Sequence, residues 1–277
     1  MSIVNAILRA AVDGLLFPFR GLHPLAGLTV VSLLTSILLL VVFKKTSNQK
    51  ALEAVKRKIH ACLFEIRLFN DDFRSIFRAQ LEILRHNLTY LRYSTVPMVW
   101  TLPPLVLLIA QLQFHYGYES LRVGRPALVK ATLAALDESG TKPAIRLEAS
   151  GPGLDVEEPP IWIPSLREIS WRIEPRAAGD YELHIVNGSE SVTKSVRVMN
   201  GADSIVRRSP LRVRGFLDEL LYPAEPPIPE SAFESIAVSY PEANVDVFGI
   251  ELHWMIVYFA ISIAFAFLLR GTFKVTI

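Results

Sequence analysis

Apolar residues in this chain fall into three long runs, separated by stretches whose polar and apolar positions alternate on shorter periods. Leu25–Phe43 is nineteen residues without a charge, Val96–Phe114 is a second run, and His253–Leu269 a third. Each approaches the ~20 residues a helix needs to cross ~30 Å of hydrocarbon. The pattern predicts an integral membrane protein with three transmembrane helices. The first run is too long for a cleavable leader and is followed by a lysine pair instead of a small-residue cleavage site, so it is expected to stay in the protein.

The stretches between the runs have their own periods. Ahead of the first, "SIVNAILRAAVDGLLFPFR" places Ile3, Ile7, Leu8, Ala11, Leu15 and Leu16 on one helical face, with Asn5, Arg9 and Asp13 elsewhere. That spacing predicts an amphipathic helix lying in the membrane interface and joined to the first span through Pro18 and Pro24. After the first span, "KALEAVKRKIHACLFEIRLF" repeats apolar residues at Leu52, Val55, Ile59, Cys62, Ile66 and Phe69. "NDD" (Asn70–Asp72) then offers cap and turn residues, and a second stripe follows at Phe73, Phe77, Leu81, Leu84, Leu88 and Leu91. Two helices paired antiparallel along these seams are expected. Lys56, Arg57, Lys58, Arg74, Arg78 and Arg85 fall on the other faces. They form either a solvated surface or a contact for anionic headgroups or ribosomal RNA.

After the second run the period drops to two. "KPAIRLEAS", "REISWRIEP", "GDYELHIVN" and "SVTKSVRVM" alternate, with Gly, Pro and Asn between them, which predicts an antiparallel all-β sandwich. "PRAAGDYEL" is similar to the corner before a late strand of immunoglobulin-like domains, with Tyr181 on the strand and Gly179 in the turn. Trp162 and Trp171 are expected in the core. "YPAEPPIPES" reads as an extended connector, and "FESIAVSYP" as a last strand.

Charge gives the orientation. The Lys44–Thr95 segment holds eleven Lys/Arg against five Asp/Glu, whereas Tyr116–Gly249 holds fourteen against twenty. With Lys44 and Lys45 closing the first span, and Arg270 and Lys274 the third, the positive-inside rule predicts an N-out, C-in chain. The net charge of +2 hides this split and gives no reason to expect DNA binding. The one cysteine, Cys62, then lies on the cytoplasmic side, as an inert helix-face thiol or a lipidation site. The β domain is left without a disulfide.

The chemistry-bearing residues point away from catalysis. Six histidines are scattered without metal-ligand spacing. "GPG" (Gly151–Gly153) reads as a turn, and no phosphate-binding loop or nucleophile elbow is present. His253 beside Glu251 reads as an interface anchor. Neither an enzyme nor a metal or cofactor site is expected.

The second span opens with "STVPMVWTLPPLVLLIAQLQ". Pro97 is expected in the first turn of its helix, where a missing N–H costs least. Pro103 and Pro104 lie deeper and predict a kink, with Thr101 as a candidate partner for the carbonyls they free. Ser32, Thr35 and Ser36 share one face of the first span. With Thr101, Gln111, Gln113 and Ser262 they are candidates to line a mildly polar groove, or else they are ordinary helix–helix contact residues.

This order of elements resembles the Oxa1/YidC superfamily, most closely its three-span EMC3/TMCO1-like (DUF106) branch. The resemblance is carried by "VVFKKTSNQKALEAVKRKI", by the helical hairpin and by "YLRYSTVPMVWTLPPLVLLI", over roughly half of the chain. It implies a kinked helix facing a wet groove open to the cytoplasm, and an activity in inserting or assembling membrane proteins. Membrane lipids, client or partner membrane proteins and the ribosome would be its partners. Two departures stand out. Relatives place an arginine in the first span, where this chain has only hydroxyl residues, and they join the second and third spans by a shorter loop.

The expected organisation is an interfacial helix at 1–24, spans at 25–43, 96–114 and 250–270, and a cytoplasmic coiled-coil hairpin at 44–95. An extracytoplasmic immunoglobulin-like sandwich occupies 115–249, and a cytoplasmic tail 271–277. A bacterial inner membrane is compatible with this layout. The alternative function is a structural subunit that anchors the β domain in a larger envelope or transport complex.

Overall fold

The computed structural model describes residues 3–69, 71–135, 143–200, 205–273 and 275. Asn70, Lys142 and Lys274, which the sequence reading invoked, lie outside the described residues. The chain divides into two units, one formed by Met1–Gly27 with Leu107–Val257 and the other by Leu28–Val106 with Tyr258–Ile277.

The helices are α1 (Ile3–Leu16), α2 (Pro24–Thr46), α3 (Gln49–Leu68), α4 (Phe73–Tyr116), the short α5 (Phe216–Leu221) and α6 (Trp254–Phe273), with a 3-10 turn at Phe17–Phe19. Three of them, α2, α4 and α6, are long and apolar enough to cross a membrane. Lys44 and Lys45 occupy the last turn of α2, where the unpaired carbonyls favour cations. Asn48 caps α3 by accepting from the Ala51 N–H at 3.1 Å. Asp72 caps α4, its two oxygens accepting from the Arg74 N–H at 3.0 Å and the Ser75 hydroxyl at 2.6 Å.

From that cap α4 runs 44 residues without a break, about 66 Å at ~1.5 Å per residue. A hairpin arm ending near Thr95, and a new helix with Pro97 in its first turn, were expected. Pro97, Pro103 and Pro104 all lie inside the one helix instead. The helix is long and apolar enough to cross a membrane, and in such a solvent the usual penalty changes. The ~3 kcal/mol cost of an interior proline is measured against a coil that water can hydrate, and hydrocarbon hydrates nothing. The third span also begins later than expected, since residues 250–253 are a strand and α6 starts at Trp254.

The second apolar seam is a further difference. Leu52, Val55 and Cys62 of α3 are buried as expected. On α4, however, Phe73, Phe77, Leu81, Leu84, Leu88 and Leu91 are all exposed, and Ala79 between them is fully buried. The side of α4 nearest Cys62 is the one carrying Glu82, whose Oε2 lies 3.9 Å from the thiol. Small residues permit close approach of two helices, so the face built around Ala79 is the one turned inward.

Among the described residues the β region has eleven strands: β1 (Leu121–Arg122), β2 (Ala127–Leu133), β3 (Ile145–Ala149), β4 (Leu154–Ile163), β5 (Glu168–Pro175), β6 (Gly179–Asn187), β7 (Glu190–Met199), β8 (Leu211–Val213), β9 (Phe233–Val238), β10 (Asn244–Val247) and β11 (Ile250–His253). They form a four-stranded sheet in the order β1-β7-β6-β3, a five-stranded sheet β4-β5-β2-β9-β8, and the hairpin β10-β11. Neighbours pair antiparallel except β1 and β7, which are parallel.

Both larger sheets contribute alternate residues to one core. Leu147, Leu183, Ile185 and Val196 come from the first sheet, and Val129, Ile169, Trp171, Phe233 and Ile236 from the second. Trp171 is fully buried and Trp162 packs at the edge of the same core. The Tyr181 hydroxyl donates to the Ala177 carbonyl at 2.9 Å, across the turn that opens β6. A Cβ on Gly153 would fall 2.0 Å from that hydroxyl oxygen, so the close approach requires glycine there.

The β region also encloses a charged pair. Lys194 of β7 is fully buried and donates to the Glu225 carboxylate, to the Ser209 carbonyl and, at 2.7 Å, to the Ser209 hydroxyl. Glu225 also accepts from the Ser195 N–H at 2.6 Å. The pair thereby ties the proline-rich connector to the sheet.

Candidate functional site

Four of the residues expected to line a groove gather in one place. Ser32, Thr35 and Ser36 of α2 and Ser262 of α6 are all buried. Ser32 Oγ donates to the Tyr258 carbonyl at 3.3 Å, and Ser36 Oγ sits 2.7 Å from the Ser32 carbonyl and 2.8 Å from that of Ser262. Thr35 donates to its own helix at Val31, at 2.8 Å. The hydroxyls therefore bond α2 to the backbone of α6. Contacts of this kind are worth about 0.6 kcal/mol each in membrane helices.

The other three candidates are placed differently. Thr101 is half-buried and donates to the Met98 carbonyl at 2.8 Å. The carbonyls that Pro103 and Pro104 deprive of a helical donor belong to Val99 and Trp100, so Thr101 does not serve them. Gln113 is half-buried near the end of α4, and Gln111 is buried in a polar network of the Met1–Gly27 and Leu107–Val257 unit. Of the prolines, Pro97 is buried, Pro104 half-buried and Pro103 exposed.

The basic candidates on the hairpin are displayed outward. Arg57, Lys58, Arg74, Arg78 and Arg85 are exposed and Lys56 is half-buried. Arg78 lies 3.5 Å from Glu82 one turn on, an exposed pair worth little. Cys62 is buried between the helices. Burial, with the carboxylates of Glu82 and Glu65, pushes its thiol pKa up, which keeps it protonated and unreactive.

A buried polar network joins residues that the sequence analysis placed off the apolar stripe of α1 with Gln111, a groove candidate. On α1, Asn5 is buried while Ile3 and Ile7 of the apolar stripe are 78% and 63% exposed. The helix thus turns its polar side into its own unit. Asn5 Nδ2 donates to the Glu219 carbonyl at 3.0 Å, and Asn5 Oδ1 accepts from Gln111 Nε2 at 2.9 Å. Gln111 Oε1 accepts from Arg207 Nη1 at 2.9 Å. Arg207 then donates through Nε and Nη2 to Asp13 Oδ1 at 3.1 and 3.0 Å. His115 completes the set, its Nε2 lying 2.8 Å from Asp13 Oδ1 and its Nδ1 3.0 Å from the Gln111 carbonyl.

Burial alone would raise the Asp13 carboxyl. The His115 hydrogen bond and the Arg207 charge outweigh it and hold the pKa at about 2. Asp13 is therefore ionised at any physiological pH. The network fixes α1 to the end of α4 and to the Arg207–Glu219 stretch. The sequence carried one faint signal of this site, polar residues at helical spacing on α1, but nothing in the spacing names partners some hundred residues away.

No protein-family model matches this chain, and no curated protein matches it. Among solved structures, the surface-layer protein SbsC, in a structure of its domains 1–6, matches 30% of this chain at 20% identity with a TM-score of 0.23. The match spans 12% of the length of that chain. A likeness at that TM-score carries no argument about fold or role.

Proposed function

We propose that this protein is a membrane-protein biogenesis factor of the Oxa1/YidC type, similar to the three-span EMC3/TMCO1-like branch, with an immunoglobulin-like domain that contacts a client or partner. The observation that carries the reading is the order and continuity of the helices. An amphipathic α1 precedes α2, α2 closes on two lysines, and α4 runs unbroken from the hairpin into an apolar stretch long enough to cross a membrane. An α1 that engages Asn5 and Asp13 and leaves Ile3 and Ile7 exposed suits a bilayer interface.

Strand order supports the immunoglobulin-like part. β3, β6 and β7 follow the C, F and G strands of that fold, and β4, β5 and β2 follow D, E and B. β9 takes the place of the first strand beside B, and the Tyr181 bond corresponds to the tyrosine corner.

The orientation in this reading is N-out and C-in. Cys62 is buried and would be silent to a thiol reagent on either side, so the test uses a Cys62→Ser background. Ser189→Cys and Lys58→Cys both place a thiol on an exposed residue. An impermeant maleimide is expected to label Ser189→Cys in intact cells and Lys58→Cys only after lysis. The reverse pattern would sink the orientation.

A second reading is favoured by the hydroxyl cluster. Ser32, Thr35 and Ser36 spend their donors on backbone carbonyls, as residues of a structural anchor would. Affinity purification in mild detergent separates the two. Ribosomes and nascent membrane proteins in the eluate support biogenesis, whereas fixed, stoichiometric partners support an anchor subunit.

A further inference from the structure

We infer that a cavity beside α1 binds the phosphate of an anionic phospholipid headgroup, with Arg9 and Arg20 as its receiving groups. The site goes beyond the biogenesis reading and does not depend on it; it requires only that α2 cross a membrane.

The cavity measures about 580 Å³ and lies within the unit formed by Met1–Gly27 and Leu107–Val257. Its lining carries five arginines, Arg9, Arg20, Arg197, Arg207 and Arg208, against three carboxylates, Asp13, Asp180 and Glu182. Two of the carboxylates are already engaged. Asp180 takes Arg197 through both oxygens, with Nη2 to Oδ2 at 2.9 Å. Asp13 takes Arg207 and His115. Arg208 is buried and anchored, donating from Nη1 to the His115 carbonyl at 2.8 Å and from Nε to Ser120 Oγ at 3.2 Å. These three arginines make a fixed floor whose charge the three carboxylates balance, so the excess of the lining rests on Arg9 and Arg20.

Arg9 and Arg20 stand differently. Arg9 makes a loose ion pair one turn along its helix, its Nε 3.8 Å from Asp13 Oδ2, and that distance leaves its hydrogen-bond donors uncommitted to the carboxylate. The Arg20 side chain is exposed, with its guanidinium 4.9 Å from the centre of the Phe17 ring. Two planar donor forks thus border a cavity whose lining holds two more arginines than carboxylates. A phosphate, with several acceptor oxygens and a full negative charge, matches such forks bidentately.

The position of the forks argues for a lipid as the source of that phosphate. Arg20 lies four residues before Pro24, where α2 begins. Ile3, Ile7 and Phe17 on the same segment are largely exposed. A residue so close to the start of a span is held at headgroup depth, with apolar neighbours ready to meet acyl chains. The excess of arginines favours an anionic headgroup over a zwitterionic one.

The test uses the full chain in dodecyl maltoside, with thermal unfolding and native mass spectrometry as readouts. It is titrated separately with dioctanoyl phosphatidylglycerol, dioctanoyl phosphatidylcholine and inorganic phosphate. Phosphatidylglycerol is expected to bind most tightly, and Arg9→Gln with Arg20→Gln to weaken it by about tenfold or more, the loss of charge-assisted bonds worth ~1.4 kcal/mol or more. Arg172→Gln, on the five-stranded sheet and paired with Glu157, is expected to leave binding unchanged. Equal binding by the double variant overturns the site. Inorganic phosphate binding as tightly as phosphatidylglycerol, or no preference over phosphatidylcholine, overturns the anionic lipid as ligand. Should the double variant fail to fold, Arg20→Gln alone, on an exposed side chain, carries the same comparison.

Discussion

Replacing Lys194 with alanine is expected to destabilise the β region by about 3–5 kcal/mol. The lysine is fully buried, and its partner Glu225 keeps only 12% of its side chain exposed. Without the ammonium, that carboxylate stays buried with the Ser209 hydroxyl and the Ser195 N–H as its donors. The penalty of an uncompensated buried charge exceeds the net worth of the pair itself. Burial already draws the Lys194 pKa down to about 8 against the pull of Glu225. The double variant Lys194→Met with Glu225→Leu is therefore expected to recover most of the loss, because it removes both charges and fills the space. Thermal unfolding of the full chain, followed by the strand signal in circular dichroism, should move down by roughly 10 °C for the single variant. A shift of a degree or two would mean that water reaches the pair.

The second large effect is expected at Asp13. Asp13→Asn leaves Arg207, whose side chain is 9% exposed, without its counter-charge, at a cost of about 3 kcal/mol. The same carboxylate gives the native protein a pH dependence of known sign. Its pKa of about 2 lies below the ordinary 3.8, so its contribution is complete above about pH 4 and is lost as pH falls toward 2. With 31% of the Asp13 side chain in contact with water, the amount lost is about 1–2 kcal/mol. Proteolytic release of α1, measured between pH 5 and 2.5 with an acid-tolerant protease, should accelerate over that window in the native chain. Asp13→Asn should release α1 readily throughout. Identical profiles for the two proteins would show that Asp13 does not hold α1 in place.

Much of the fold was legible because two periods dominate the sequence. Nineteen uncharged residues admit few alternatives to a buried or spanning helix, and the alternation of "REISWRIEP" and "SVTKSVRVM" is repeated in the burial of β5 and β7. β4 was missed because Glu157, Glu158, Pro159 and Pro160 interrupt its alternation, and the ladder with β5 shifts register at that place. The unbroken α4 was missed because proline rules come from helices in water. On α4 the sequence offered two faces, and the larger apolar residues were given the partner. The smaller face around Ala79 is the one that is covered, leaving Phe73 88% exposed.

The candidate sites divide in the same way. That Ser32, Thr35 and Ser36 share a face follows from helical spacing, but what meets that face does not. The Asp13 network was hidden because hydropathy assigns Asn5 and Asp13 to water, whereas Gln111 and Arg207, far along the chain, decide their burial. Arg9 and Arg20 likewise carry no signal of a site in the sequence, because Arg197, Arg207 and Arg208, which complete the lining, lie far along the chain.

The most direct measurement of the proposed role is insertion by the purified chain alone. Proteoliposomes carrying this protein would be given a ribosome-free, in vitro synthesised client with one span and a short polar tail, and tail translocation scored by protease protection. A factor of the Oxa1 type is expected to raise protected tail several-fold above protein-free liposomes, with no added energy source. Protection at the level of protein-free liposomes, by a preparation that retains its folded β region, would contradict the account and leave a membrane anchor for the β domain.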